Sequence, residues 1–230
     1  MKTLTAMKVL LVVTSHSQLG STKEPTGFWL EELAAPYAEF TKAGVQVDIA
    51  SPLGGKAPAD PRSEKEPSEA TRAFLSDAAA KKKLENTLVL EKVKESYDAY
   101  FVVGGHGVMW DLATHAPLHT LLTAAYARGA VVSAVCHGPA ALVGVKAPDG
   151  KPLVAGKRVV AFTNAEEKAM KLDTVVPFPL ETRLREQGAR FESGPMWNSF
   201  AVRDGRLVTG QNPASSAAVA REVLAALREK

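Results

Sequence analysis

Residues 130–139, Ala130-Val131-Val132-Ser133-Ala134-Val135-Cys136-His137-Gly138-Pro139, set the architecture of this chain. The first six are small, valine-rich and almost free of polar groups. A strand covered on both faces needs that composition, and such strands belong to parallel sheets. The run passes without a spacer into Cys136-His137, and Gly138-Pro139 is a place where a helix can begin. So sharp a strand-to-helix turn exposes the side chain at its apex above the sheet. It is the geometry of a nucleophile elbow, with cysteine in place of serine.

Two more segments repeat the pattern. Lys8–Thr14 (KVLLVVT) ends at Ser15-His16-Ser17, and Tyr97–Val103 (YDAYFVV) opens onto Gly104-Gly105-His106-Gly107. Val45–Ser51 is a fourth strand. Helical spacing of Trp29, Leu33, Pro36-Tyr37 and Phe40 predicts a helix over Thr26–Ala43, stopped by Gly44 and kinked or broken at Pro36. Two helices are expected within Ser68–Glu95, broken near Leu84–Leu88, and another over Pro117–Arg128 before Gly129. A strand is read within 153–163 and helices at about 165–172 and 178–187. Strands follow near 189–193, 199–203 and 206–209, the last pair joined by Asp204-Gly205, a hairpin signal. Asn212-Pro213 starts a C-terminal helix. Strands alternating with helices predict an α/β architecture, a mainly parallel sheet with helices on both faces. We read 1–230 as one domain, with an exposed insertion at about 52–67, where Pro, Gly and charged residues concentrate.

Composition narrows the functions. Lys and Arg number 28 and Asp and Glu 25, a net charge of +3 with no basic block interleaved with aromatics. That argues against a nucleic-acid partner. The apolar run Val9–Val13 is far shorter than the ~20 residues that span a bilayer, so no membrane association is expected and the chain reads as cytoplasmic. One cysteine excludes an intramolecular disulfide and a multi-cysteine zinc site.

In open α/β sheets ligands bind beyond the carboxyl ends of the strands. Residues 14–17, 104–107 and 136–139 all fall there. Cys136 is the candidate nucleophile, its thiolate favoured by a following helix N-terminus; the competing reading is a buried packing cysteine. His137 is a candidate base, acid or thiolate counter-ion, against a mere capping role. The His137 amide and one from Gly104-Gly105 can form an oxyanion hole. Gly-Gly-His-Gly lacks the Lys-Ser/Thr of a phosphate loop. His115 and His119 have the spacing of zinc ligands, but Pro117 intervenes and no helical His-Glu-x-x-His arrangement exists, so no metal is expected. The tryptophans read as core or interface, with Trp110 and Trp197 as candidates for a pocket rim.

Ala134–Pro139, together with upstream Gly104–Gly107, resembles the PfpI superfamily, flavodoxin-like relatives of the class I glutamine amidotransferases. Thr26–Leu33 (TGFWLEEL) and Thr209–Ser216 (TGQNPASS) resemble the branch that holds glutathione-independent glyoxalase III and related heat-shock chaperones. The resemblance implies a Cys-His-acid triad and an early pocket glutamate. Cys136 and His137 carry over directly. The pocket glutamate corresponds to Glu32, four residues before Pro36, which leaves Glu31 on a solvated helix face. The triad acid falls in Thr163-Asn164-Ala165-Glu166-Glu167, where family spacing favours Glu167 over Glu166. His106 is either a substrate contact or structural. The implied activity needs no cofactor: a small α-oxoaldehyde, methylglyoxal, is converted to lactate through Cys136, or a glycation adduct is removed by the same groups. Glu32 is then expected to be at least partly protonated and hydrogen-bonded to Cys136 at rest. A thiol peptidase or amidase, a holdase chaperone and a redox-stress protein are the alternatives. A homodimer is implied as well.

Overall fold

The computed structural model describes residues 3–94 and 96–229. Strand β1 (Lys8–Val12) is followed by α1 (Leu30–Lys42), β2 (Gln46–Ser51), α2 (Glu69–Ser76), α3 (Ala78–Glu85) and β3 (Leu88–Val89). Next come β4 (Ala99–Val102), α4 (Ala116–Ala127), β5 (Val131–Val135), β6 (Arg158–Val159), α5 (Asn164–Ala169) and α6 (Leu180–Glu186). The chain finishes with β7 (Arg190–Phe191), β8 (Ala201–Asp204), β9 (Leu207–Gly210) and α7 (Ser216–Arg228). A seven-stranded sheet runs β3-β2-β1-β4-β5-β9-β8, parallel throughout except for the β8–β9 hairpin. This is the flavodoxin-like order, which reverses direction between β1 and β4.

Strand periodicity divides the core in two. Leu10, Val12, Tyr100, Val102, Val132 and Ala134 face one side, packed under α4 and α6 through Leu118, Leu122, Leu180 and Leu184. Val9, Leu11, Phe101, Val103, Val131 and Val135 face the other, under α1 and α7 through Leu33, Phe40, Val219 and Val223. Every residue of β4 and β5 is buried. Both faces are therefore apolar, and only the strand ends are left for polar chemistry.

Several expected boundaries move. Helix α1 begins at Leu30 rather than Thr26, because the Phe28 amide donates to Pro58 O and the Trp29 amide to Gly104 O, each at 3.0 Å. These bonds hold 26–29 extended against the β4 turn. The helix runs through Pro36 without a break; its apolar face packs firmly enough to tolerate one lost amide donor. The break after Ser68 comes at Asp77, not 84–88. Asp77 ends α2, and its side chain accepts from the Ala79 and Ala80 amides to start α3. Leu88–Val89 then pairs with β2, and Glu95 lies outside the described residues. The strand read within 153–163 is present but short. Only Arg158–Val159 is extended, in a separate two-stranded parallel ribbon with β7. Segment 52–67 is not uniformly exposed: Ala57, Asp60 and Ser63 are buried.

Candidate active site

Cys136 stands where β5 ends, with φ +60°. That left-handed conformation is costly for a residue with a Cβ. Backbone bonds on both sides enforce it: the Cys136 amide donates to Gly210 O at 2.9 Å, and its carbonyl accepts from the Phe162 amide at 2.8 Å. The turn that follows, Gly138–Leu142, is a short 3-10 helix.

His137 is fully buried. Its Nδ1 lies 3.3 Å from the Cys136 Sγ and its Nε2 lies 2.7 Å from Glu167 Oε2. Burial alone would raise the Glu167 carboxyl, but the neighbouring histidines more than reverse that and hold it well below the usual carboxylate range. An ionised carboxylate only accepts, so His137 carries its proton on Nε2. Nδ1 is then free to take the thiol proton.

The other oxygen of Glu167 binds His106 Nε2 at 2.8 Å. His106 Nδ1 is 3.4 Å from Arg62 Nη2, and Arg62 is clamped on Asp60 at 2.9 and 2.6 Å. Burial, reinforced by His137, lowers His106 to about 4. His106 is therefore neutral at physiological pH, donating to Glu167 and accepting from Arg62. Among the described residues, His106, His137 and Glu167 are the group whose ligand atoms lie close enough to share a metal, within 4.8 Å of one another. Both Nε2 atoms are already committed to Glu167, and the Arg62 cation opposes a second cation there.

Glu32 comes from the first turn of α1 and is fully buried beside the elbow. Burial raises its carboxyl well above the ordinary value, offset only in part by the Cys136 thiol and the Gly104 amide nearby. It is accordingly neutral. The polar groups it interacts with are the Cys136 thiol and the Gly104 amide, and the interaction with the thiol is the one expected. The thiol itself is pushed up by burial and by Glu32, while the Gly105 and His137 amides that face the sulfur pull the other way. A thiolate favoured by a helix N-terminus is thus corrected: the 3-10 turn is too short, and the buried sulfur needs a base.

The two glycines of the β4 turn are sterically required. A Cβ on Gly104 would lie 2.3 Å from Glu32 Oε2 and 2.9 Å from Cys136 Cβ. Gly105 has φ +103° and ψ 151°, and a Cβ there would lie 2.4 Å from Gly27 O. Only glycine admits that close approach.

A cavity of about 350 Å³ opens over Cys136, lined by Gly105, His106, His137, Trp29, Phe162, Met170, Trp197 and Pro213. Trp110 is elsewhere, stacked on His16 at 5.3 Å. Glu166 faces away from His137. It closes a capping box with Thr163 and accepts from the Trp197 amide, Gln211 and Asn212. Glu31 is not simply solvated, since it accepts from Ser68 and, at 2.8 Å, from Thr71 Oγ1. His115 caps α4 through its Nδ1, and His119 Nε2 lies 3.2 Å from Leu112 O. The structure therefore brings Cys136, His137, Gly105 and His106 into the cavity wall, with Glu167 behind the two histidines and Glu32 and Gly104 beside the elbow. Sequence reading missed Asp60 and Arg62, although Asp60-Pro61 carries the signature of a helix cap.

Residues 25–226 match the DJ-1/PfpI family. The chain is 32% identical to the glutathione-independent glyoxalase HSP31 of Saccharomyces cerevisiae, over 96% of this chain and 98% of that protein. Among solved structures it is similar to the Francisella tularensis Rapid Encystment Protein, with TM-score 0.92, 39% identity and coverage of 96% and 99%. It is also similar to glyoxalase III from Candida albicans, with TM-score 0.86, 30% identity and coverage of 96% and 97%.

Proposed function

The chain belongs to the DJ-1/PfpI family, and from that premise we propose that it is a glutathione-independent glyoxalase, converting an α-oxoaldehyde such as methylglyoxal to the α-hydroxy acid. The observation that carries this reading is the pairing, on one buried thiol, of a His137–Glu167 base and a neutral carboxyl, Glu32. The reaction needs a nucleophile, a base for that nucleophile, and a second group that moves a proton between adjacent carbons.

His137 Nδ1 takes the thiol proton, and the sulfur adds to the aldehyde carbon. The oxyanion so formed meets the Gly105 and His137 amides. Glu32 gives it a proton and becomes a carboxylate, giving a hemithioacetal. That carboxylate removes the proton on the former aldehyde carbon, while His137 protonates the neighbouring carbonyl oxygen, leaving an enediol. Glu32 returns its proton to the second carbon and His137 recovers the hydroxyl proton, which yields a thioester. Water attacks the thioester with Glu32 as base. The sulfur leaves as the thiol with the proton from His137, and both groups regain their starting state. The sum is oxoaldehyde plus water to hydroxy acid, with no external reductant or oxidant.

Glu32 has to stay neutral at rest for this sequence to begin. Its burial without ionic partners supplies that condition. A peptidase needs a cleft for an extended chain, and the cavity of about 350 Å³ is better matched to a small molecule. A cytoplasmic homodimer is part of the same reading, and sedimentation of the purified protein tests the assembly.

The test is glutathione-free consumption of methylglyoxal with lactate quantified, wild type beside Cys136→Ala. Turnover by the wild type and its loss in the variant are expected. A folded wild type that forms no lactate overturns the reading.

A further inference from the structure

Methylglyoxal is small for the space above Cys136. Its five non-hydrogen atoms, at the ~30 Å³ that a water molecule takes in the liquid, occupy about 150 Å³. The cavity holds about 350 Å³. Beyond the reacting groups its wall is Trp29, Phe162, Met170, Trp197 and Pro213. None of these carries a charge that would hold a carboxylate or phosphate on the substrate's far end.

The wall is also ordered. Rings of His137 and Phe162 lie 4.5 Å apart, and those of Phe162 and Trp197 lie 5.8 Å apart, so an aromatic face extends from the triad to the mouth. Trp197 is 47% exposed and is held at φ +65°. A bulky residue keeps that conformation only where its surroundings impose it. Here the Trp197 amide donates to Glu166 Oε1 at 3.0 Å, and Glu166 is itself anchored by Thr163, Gln211 and Asn212. The backbone that carries the indole is thus held beside the cavity with the residue half-exposed, and a ligand that fills the cavity would cover it.

We propose that the site selects α-oxoaldehydes bearing a bulky apolar, ring-containing substituent, and that Trp197 is the residue that sets this specificity. The inference rests on the glyoxalase reading and names the substituent that the site prefers. An aryl glyoxal has ten non-hydrogen atoms, about 300 Å³ on the same scale, close to the cavity's own volume. Its aldehyde would sit at the Cys136 sulfur and its ring against the aromatic face that Trp197 and Phe162 form together.

The experiment measures kcat/KM for methylglyoxal and for phenylglyoxal in wild type, Trp197→Phe and Trp197→Ala. The quantity read is the ratio of the two values, because intrinsic reactivity cancels when one ratio is compared with another. The phenylglyoxal-to-methylglyoxal ratio is expected to fall at least tenfold in Trp197→Ala and to stay within about threefold of wild type in Trp197→Phe, since contact with one ring is worth on the order of tenfold or more. A ratio unchanged in Trp197→Ala, with both substrates falling together, overturns the proposal and leaves Trp197 a structural role. A second readout separates this proposal from the reaction itself: protection of Cys136 from iodoacetamide by acetophenone or by acetone. Stronger protection by acetophenone, lost in Trp197→Ala, supports the ring subsite even if neither aldehyde turns over, an outcome that would overturn the glyoxalase reading alone. Equal protection by both ketones overturns the subsite.

Discussion

In the proposed reaction two acids serve Cys136, and their surroundings push their carboxyls in opposite directions. Glu167 is ionised because two imidazoles bind its two oxygens at 2.7 and 2.8 Å. Glu32 favours its neutral form because the Cys136 thiol and the Gly104 amide compensate its loss of water only in part. One carboxylate orients a base, and one carboxylic acid holds a proton ready. Pairs of titratable groups pushed apart in this way mark acid and base assignments. Glu32→Gln keeps the shape but cannot give and retake a proton. Its turnover of methylglyoxal is expected to fall at least ~100-fold, the usual contribution of a positioned acid–base group, with the fold retained by circular dichroism. A Glu32→Gln enzyme within about threefold of wild type would remove Glu32 from the proton transfers.

At the scale of elements, α5 places adjacent glutamates on separate tasks. Thr163 caps the helix, and the box it forms with Glu166 sets the helix phase. Glu167, one residue later and therefore about 100° around the helix, is turned to the histidines. Glu166 meanwhile ties α5 to the Trp197 loop and to the Gln211-Asn212 segment before α7. Substitution separates these tasks. Glu167→Gln is expected to cost at least ~100-fold in kcat with a smaller stability loss than Glu166→Ala, because the amide loses the charge and its one oxygen accepts from only one histidine, the other having to change tautomer. Glu166→Ala is expected to cost about 3 kcal/mol in urea unfolding, since it strands several buried donors. Stability losses of equal size in the two variants would contradict this division.

For the whole molecule, the site's unusual protonation states make stability depend on pH with opposing signs. His106 titrates at about 4 in the folded chain against 6.5 unfolded. The unfolded chain then binds the extra proton, so this contribution is complete above pH 6.5 and is lost as pH falls towards 4. Glu32 is raised above 4.5, so its contribution is complete below 4.5 and is lost as pH rises. Above pH 4.5 the two slopes oppose each other. Each amounts to about 1.4 kcal/mol per pH unit. Removing one exposes the other: in Glu32→Gln, stability should climb with pH from 4.5 to 6.5 more steeply than in wild type. Below pH 4.5 the depressed Glu167 adds its own loss on acidification. Urea unfolding of both proteins from pH 4.5 to 6.5 checks the sign. Parallel curves would show that Glu32 ionises freely in the folded state.

Legibility in the sequence followed the range of the interactions. Val131–Val135 and Lys8–Val12 read as buried strands because burial on both faces demands an unbroken apolar run, a property each segment carries alone. The elbow at Cys136, the β4 glycine turn and the Asp204-Gly205 hairpin were equally local, since turns need particular residues at particular positions. Together with the resemblance, that determined the architecture and a set of residues that the fold brings together. What needed the tertiary structure was everything set by contacts distant along the chain. The Phe28 and Trp29 amides hold the start of α1 extended through bonds to residues 58 and 104. Asp60 and Arg62 reach His106 from a segment that read as an exposed loop. Trp197 closes a cavity that it shares with Trp29, 168 positions earlier in the chain. Protonation followed the same rule. Whether Glu32 is neutral, Glu167 ionised or Cys136 a thiol depends on solvent exclusion and on charges a few ångströms away, and residue order alone does not contain those quantities.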